Sequence, residues 1–312
     1  MRIGIRCDAG TQTGFGHLVR ELALAEELRR RDADCVFYMT PQSAGKDLVF
    51  DAGFYMCLPT APNWVGNEKF DAFIVDLEHG CPMKLAEDVR PSTDRFVVLD
   101  GTGYKDEEEG RRLADIVIFQ GATPYAKDLD WDGFEGKWYS GPEWVILRKE
   151  FVEACKYDYD REGIVILGGG SDPKGVTELA VDALRSRTGV TVVLGPGFDR
   201  ELNCPRWWRI LRNPDDLVSA MAGAKMAVAS YGMTVYELMC LGIPTVVVSI
   251  SEYHAGCAAM LESESLISLG EIGKVTPAQI EYALEELREP VSRVVDGKGA
   301  ERVADLILGG VR

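Results

Sequence analysis

Only three histidines occur among 312 residues, and one of them, His17, closes the run Gly14-Phe15-Gly16-His17. Glycines leave the backbone uncovered, so a histidine that follows two of them at a helix start stands where a ligand can reach it. The positive end of a helix disfavours an imidazolium, and a neutral ring able to accept a proton is therefore expected. Arg6 and Asp8 share one face at the end of the preceding strand by period-two alternation. Asp8 is the carboxylate expected to orient the imidazole, which makes His17 and Asp8 the candidate catalytic pair. Arg20, one helical turn after His17, could hold a substrate or pair with Asp76 or Asp100, and the pairing is the favoured reading.

A second constellation is Ser230-Tyr231-Gly232-Met233-Thr234-Val235-Tyr236-Glu237. It reads as a strand end, a loop and a helix whose free N–H groups at Gly232, Met233 and Thr234 point at a phosphate. Glu237, one turn or roughly 5 Å further on, could chelate vicinal ribose hydroxyls. The plainer alternative makes Glu237 a first-turn acid that complements the helix dipole. Neither Gly14–Val19 nor Gly168–Pro173 carries the third glycine of the dinucleotide fingerprint, and no Walker lysine occurs. That moves NAD-dependent dehydrogenases and P-loop kinases out of the front rank. No paired His or carboxylate ligands stand at metal spacing, so neither a metal nor any other cofactor is expected.

These residues must be positioned by a larger frame. The length is a prior for about two domains. Short apolar runs (Arg2–Arg6, Val36–Met39, Phe73–Val75, Phe96–Leu99, Ile116–Phe119) alternate with amphipathic stretches, which is the rhythm of βαβ units. It restarts with Ile164–Leu167, Thr191–Leu194, Met226–Ala229 and Thr245–Ser249. In each half a strand, a glycine-rich turn and a helix follow in order. Leu18, Leu22, Ala25 and Leu28 form the inner face of the first helix, and Val176, Leu179, Ala180, Ala183 and Leu184 that of the second, with Asp172 as N-cap and Pro173 at its first position. The expected fold is α/β, with two Rossmann-like doubly wound domains facing a central cleft. The first runs over 1–145, the second over 155–312, and 146–154 links them. Such sheets bind ligands at the carboxyl ends of their strands.

The net charge of −16 repels polyanions, so nucleic acid and anionic membranes are poor partners. Eight cysteines without a C-x-x-C pair read as reduced thiols. No signal-peptide core and no apolar run of 18 residues is present, so a cytoplasmic protein without membrane insertion is expected. No protein partner is required by anything in the pattern.

Taken together, Arg6-x-Asp8, Gly14-Phe15-Gly16-His17, Arg20, Gly169-Gly170-Ser171-Asp172-Pro173 and the Gly232–Glu237 segment with Leu241-Gly242-Ile243-Pro244 resemble the nucleotide-sugar hydrolases of pseudaminic acid biosynthesis (PseG). The resemblance spans nearly the whole chain and extends to the SpsG-like spore-coat polysaccharide proteins. These are similar in fold to MurG and other GT-B glycosyltransferases. The resemblance implies metal-free hydrolysis of a UDP-linked 2,4-diacetamido-trideoxyhexose, with water attacking the anomeric carbon. It implies that His17 activates the water, and that Arg6, Asp8, Gly14 and Gly16, with Arg20, Asp76 and Asp100 nearby, shape the sugar side. It further implies that Gly169, Gly170, Ser171 and Asp172, together with Ser230, Gly232, Met233 and Thr234, hold the diphosphate, and Glu237 the ribose, with His254 a further diphosphate contact.

Three departures bear on the substrate: Gly101 follows Asp100, Phe119 stands where an Asn is common, and Glu252-Tyr253-His254 replaces an Asn-Gln pair. Two other readings compete, a GT-B transferase that sends the same donor sugar to another acceptor and a non-enzymatic nucleotide-sugar binding protein. Phe50–Pro62 is apolar but carries no Lys or Arg, which disfavours a membrane-linked acceptor and tips the balance towards the hydrolase.

Overall fold

The computed structural model describes residues 1–10, 15–58, 65, 68–77, 80–100, 109–289 and 294–309, without the side chains of 100 and 109. Gly14, His79 and Gly101 lie outside the described residues, and Asp100 is described only as the backbone end of a strand.

The chain divides into two compact units, Met1–Arg148 with Lys298–Arg312, and Lys149–Gly297. The first contains β1 (Arg2–Cys7), α1 (Gly16–Arg30), β2 (Asp34–Tyr38), α2 (Lys46–Asp51), β3 (Tyr55–Cys57), β4 (Phe70–Asp76), α3 (Met83–Val89), β5 (Thr93–Asp100), β6 (Ile116–Gln120) and β7 (Lys137–Gly141). Its strands form one parallel sheet in the order β3-β2-β1-β4-β5-β6-β7. Alternate residues enter two separate cores. Ile74, Val97, Leu99, Ile116 and Ile118 pack with Leu18, Leu24 and Leu28 of α1, while Phe73, Val75, Phe96, Val98, Val117 and Phe119 pack on the other face. Burial of both faces is what makes these strands read as unbroken apolar runs.

The second unit contains α4 (Lys149–Ala154), β8 (Ile164–Leu167), α5 (Val176–Leu184), β9 (Val190–Leu194), β10 (Arg209–Arg212), α6 (Leu217–Ala222), β11 (Met226–Ser230), α7 (Met233–Leu241), β12 (Thr245–Ser249), α8 (Glu252–Ala259), β13 (Leu266–Glu271) and α9 (Pro277–Glu286). Its parallel sheet has the order β10-β9-β8-β11-β12-β13. In both sheets the strand order reverses beside the first strand of the unit. The neighbours there are β1 and β4 in one, β8 and β11 in the other. At such a reversal the flanking loops diverge to opposite faces and leave a crevice at the carboxyl ends. Among the described residues no helix is long and apolar enough to cross a membrane.

The structure departs from the sequence-based expectation at the C-terminus. The last helix, α10 (Gly299–Leu308), belongs to the first unit, so a second domain running from 155 to 312 does not hold for its final segment. Val303, Ala304 and Ile307 of α10 are fully buried in the core that contains Leu18 and Leu24. Arg95 Nη1 donates to the Leu306 and Ile307 carbonyls at 3.1 and 2.5 Å, and Arg31 pairs with Asp305. The inner face of α1 also differs: Leu22 is half-buried, and Leu24 takes its place in the core. Because Ile307 fills the first unit's core at 0% exposure, Ile307→Ala should destabilise the protein by about 2–5 kcal/mol in urea unfolding. A loss below about 1 kcal/mol, the cost of a surface change, would show that α10 is not part of that core.

Candidate functional site

At the first reversal point, Cys7 at the end of β1 lies in register with Asp76 at the end of β4. The helix that follows β1 starts at Gly16, which places His17 in its first turn. His17 Nδ1 lies 2.8 Å from Asp76 Oδ1. Arg20 Nε donates to Asp76 Oδ2 at 2.6 Å, and Arg20 Nη2 donates to Asp76 Oδ1. Asp76 is fully buried and Arg20 nearly so. Burial raises the Asp76 carboxyl, but the Arg20 guanidinium and then His17 outweigh it and hold the group well below the usual carboxylate range. On Arg20 burial acts in the opposite sense and the Asp76 charge prevails, so the guanidinium stays charged.

Arg20 Nη2 also lies 2.8 Å from His17 Nδ1. Arginine has only donors and a carboxylate only acceptors. With Nδ1 protonated the ring gives a charge-assisted bond to Asp76 and leaves the Nε2 lone pair free, whereas an unprotonated Nδ1 would accept from Arg20. The His17 side chain is 14% exposed, and a side chain added at the neighbouring Gly16 would meet nothing within 4 Å.

The pairing expected with Asp8 does not form. Asp8 Oδ2 accepts from Arg6 Nη2 at 2.6 Å, and Asp8 Oδ1 accepts from the Thr40 backbone N–H at 2.8 Å and the Thr40 hydroxyl at 3.0 Å. Its oxygens are occupied by Arg6 of β1 and by Thr40, which follows β2. Asp76 orients the imidazole instead, because it ends the strand beside β1 whereas Asp8 continues β1 itself. Arg6 further donates to the carbonyls of Cys7 and Tyr38 at 3.0 and 3.3 Å, which fixes the Arg6–Asp8 pair at the rim of the sheet.

In the second unit, Ala229 of β11 lies in register with Leu167 of β8, and the loops that follow carry the two glycine motifs. Ser230 ends β11, and Gly232 adopts an extended conformation before α7 with no side-chain cap. The first N–H groups of a helix have no internal partner, so those of Met233 and Thr234 stand free to meet an anion beside the open face of Gly232. Glu237 is 5% exposed and lies beyond the first turn, where a dipole role does not apply. Tyr231 and Tyr236 share a hydroxyl–hydroxyl bond of 2.6 Å, and the Tyr231 ring lies 5.5 Å from that of His254 in the first turn of α8. Burial lowers the His254 pKa and so favours the neutral ring, and its Nδ1 is buried with no hydrogen-bond partner among the described residues.

The first glycine loop is built differently from expectation. Asp172 has a left-handed backbone, α5 begins only at Val176, and Gly175 rather than Asp172 is its N-cap, so Pro173 lies in the preceding turn. The Asp172 carboxylate accepts from the Val176 and Thr177 N–H groups, each at 2.8 Å, and is 1% exposed. It occupies the donors that would otherwise bind an anion, so Asp172 holds the loop and is not a ligand contact. Gly169 and Gly170 face open space, and the Gly170 carbonyl accepts from the Gly197 N–H at 2.8 Å. Ser171 lies between them and Asp172 and is exposed.

Sequence reasoning missed Thr40, which fixes Asp8, and Glu21, a fully buried acid one residue after Arg20. Glu21 carried a signal: it stands three residues after Leu18 and four before Ala25, within the apolar stripe of α1. Among the described residues no group of three or more His, Cys, Asp and Glu side chains is gathered for a metal.

No family model matches the chain. It is 28% identical to an uncharacterized protein of Methanocaldococcus jannaschii over 82% of its own length, and it spans only 57% of that relative. It is 25% identical to the spore coat polysaccharide biosynthesis protein SpsG of Bacillus subtilis, with 98% of each chain covered. It is also 25% identical to the UDP-2,4-diacetamido-2,4,6-trideoxy-beta-L-altropyranose hydrolase of Campylobacter jejuni, over 57% of this chain and 63% of that one. Among solved structures, MurG of Acinetobacter baumannii matches with a TM-score of 0.66 at 15% identity, covering 99% of each chain. The UDP-GlcNAc 2-epimerase of M. jannaschii, solved with UDP-GlcNAc and UDP, matches at 0.61 and 13% identity, covering 99% of this chain and all of that one. The fold is that of the GT-B glycosyltransferases, and the resemblance to the SpsG and PseG proteins holds in sequence.

Asp76→Asn leaves the buried Arg20 charge without its counter-charge, and should cost about 3–5 kcal/mol at pH 7. A carboxylate whose folded pKa is depressed stabilises above its unfolded value of about 3.9 and loses that contribution as pH falls towards the folded one. The gap between wild type and Asp76→Asn in urea unfolding should therefore narrow below about pH 3.9. A small gap that ignores pH would contradict the pairing.

Proposed function

We propose that this chain is a nucleotide-sugar enzyme that releases UDP from a UDP-linked deoxy-diacetamido sugar, with water attacking the anomeric carbon. The observation that carries the reading is the His17–Asp76 pair at the reversal point of the first sheet, with the His17 side chain 14% exposed. Its Nε2 takes a proton from the attacking water while the bond from the anomeric carbon to the diphosphate oxygen breaks. The electron pair leaves with UDP. As the imidazolium forms, Asp76 supplies its counter-charge through the existing Nδ1–H bond. The second unit contributes the nucleotide contacts: free N–H groups at Gly232, Met233 and Thr234 for the diphosphate, and Glu237 for the ribose. Gly169, Gly170 and Ser171 line the adjoining loop, and neutral His254 is a further donor to the diphosphate. Arg6, Asp8 and Gly16 shape the sugar side, and surface-polysaccharide or nonulosonic acid biosynthesis is the setting that the named relatives support.

Transfer of the sugar to an acceptor other than water is the second reading. It is favoured by the exposed apolar side chains Leu48, Phe50 and Tyr55 on and after α2, two of them more than three-quarters exposed, which is a surface an apolar acceptor could meet.

Incubation with a panel of UDP-sugars, with and without acceptors, while free UDP is measured, separates the two. UDP release without any acceptor is expected. His17→Ala should slow it by about 10²- to 10⁴-fold and leave UDP affinity unchanged. Glu237→Ala should do the reverse, weakening UDP by about 1–3 kcal/mol. Turnover by His17→Ala within a few-fold of wild type would remove His17 as the base, and release that appears only with an acceptor would favour transfer.

A further inference from the structure

Glu21 is a buried acid that the reaction above does not use. It follows His17 by four residues in α1, so both lie on one side of the helix, and it is 0% exposed. Neither carboxyl oxygen receives a hydrogen bond from any described residue. An ionised carboxylate sealed from water without a donor is strongly disfavoured. Among the described residues the cation beside it, Arg20, is already engaged by Asp76, and Cys7 of β1 and Cys35 of β2 are thiols. Burial first, then the Asp76 charge, push Glu21 well above the usual carboxylate range. Cys7 is raised by burial and then by Glu21 and Asp76, and Cys35 to about 12 by burial, Asp34 and Glu21. A neutral carboxylic acid has one O–H to place, and Asp76, bonded by Arg20 one residue back on α1, is the carboxylate whose charge bears on it.

We propose that Glu21 is a positioning residue: held as the neutral acid, it donates its O–H to Asp76 and keeps that carboxylate turned so that Oδ1 receives the His17 Nδ1–H. The charges of the cluster then balance, with Arg20 positive, Asp76 negative, and Glu21 and His17 neutral. His17 can become an imidazolium with one counter-charge beneath it. A second negative charge at Glu21 would instead trap the proton on the ring and remove the base. Only the consequence for turnover rests on the proposed function.

The protonation state is read on the wild-type protein. The Glu21 carboxyl ¹³C resonance should sit at the neutral-acid position throughout pH 5 to 8, whether or not any nucleotide sugar is turned over. An ionised Glu21 at pH 7 would overturn the proposal. Linkage gives an independent reading. A carboxyl whose folded pKa lies above its unfolded value of about 4.3 loses stabilising effect as pH rises through that interval. Glu21→Gln, which does not titrate, should therefore gain on wild type in urea unfolding as pH rises from 4.5 to 7.5, and a gap constant with pH would count against it.

Turnover completes the test. Glu21→Gln retains an N–H donor for Asp76 and should keep kcat within a few-fold of wild type and the same pH profile. Glu21→Met retains the volume without the donor, and should lower kcat by about 10-fold to 100-fold with KM unchanged. A Glu21→Met variant with wild-type kcat would refute the positioning role. A wild type that turns over no UDP-sugar would refute the proposed function and leave the carboxyl and stability readings in force.

Discussion

A carboxylate buried at the end of a central strand is the constraint on which the first unit turns. Asp76 has no water to solvate it, so the chain must bring it a cation and donors. Arg20 and His17 supply them from α1, three residues apart on one side of the helix. The same contacts that neutralise Asp76 fix the azimuth of α1 over the sheet and the plane of the imidazole. Under the proposed function, stability and reactivity share one set of bonds. A helix rotated by one residue would carry Arg20 away from Asp76 and strand a charge in the core.

The two units solve related problems by different means. Both place their loops at the reversal of a parallel sheet, where neighbouring connections leave in opposite directions. The first fills that position with charged side chains. The second uses backbone: the α7 N-terminus is uncapped, while the start of α5 is already occupied by Asp172. In a protein with a net charge of −16, backbone N–H groups at a helix start can attract an anion locally without any change in the overall charge balance.

Central strands were legible in the sequence and edge strands were not. Ile164–Leu167 and Thr245–Ser249 match the observed strands, because burial on both faces imposes unbroken apolar runs. The strands left unread, β3, β7, β10 and β13, are the four sheet edges, where the residues are mostly half-exposed and the apolar signal fades. The importance of His17, Arg20 and Asp76 could be read from residue type and spacing. The partner of His17 could not, since Asp8 and Asp76 both end strands and only the strand order places one beside the ring. The same limit hid the last helix, whose apolar face suits either unit by pattern alone.

In the proposed mechanism Asp76 holds His17 as the Nδ1–H tautomer and leaves Nε2 as the base. With only three histidines in the chain, ¹⁵N correlation spectra of the imidazole rings near pH 8 read this directly. His17 should show a protonated Nδ1 and an unprotonated Nε2, and Asp76→Asn should shift it away from that state. A His17 protonated at Nε2 in the wild type would mean that Arg20 donates to Nδ1, and the ring would then be unable to act as the base.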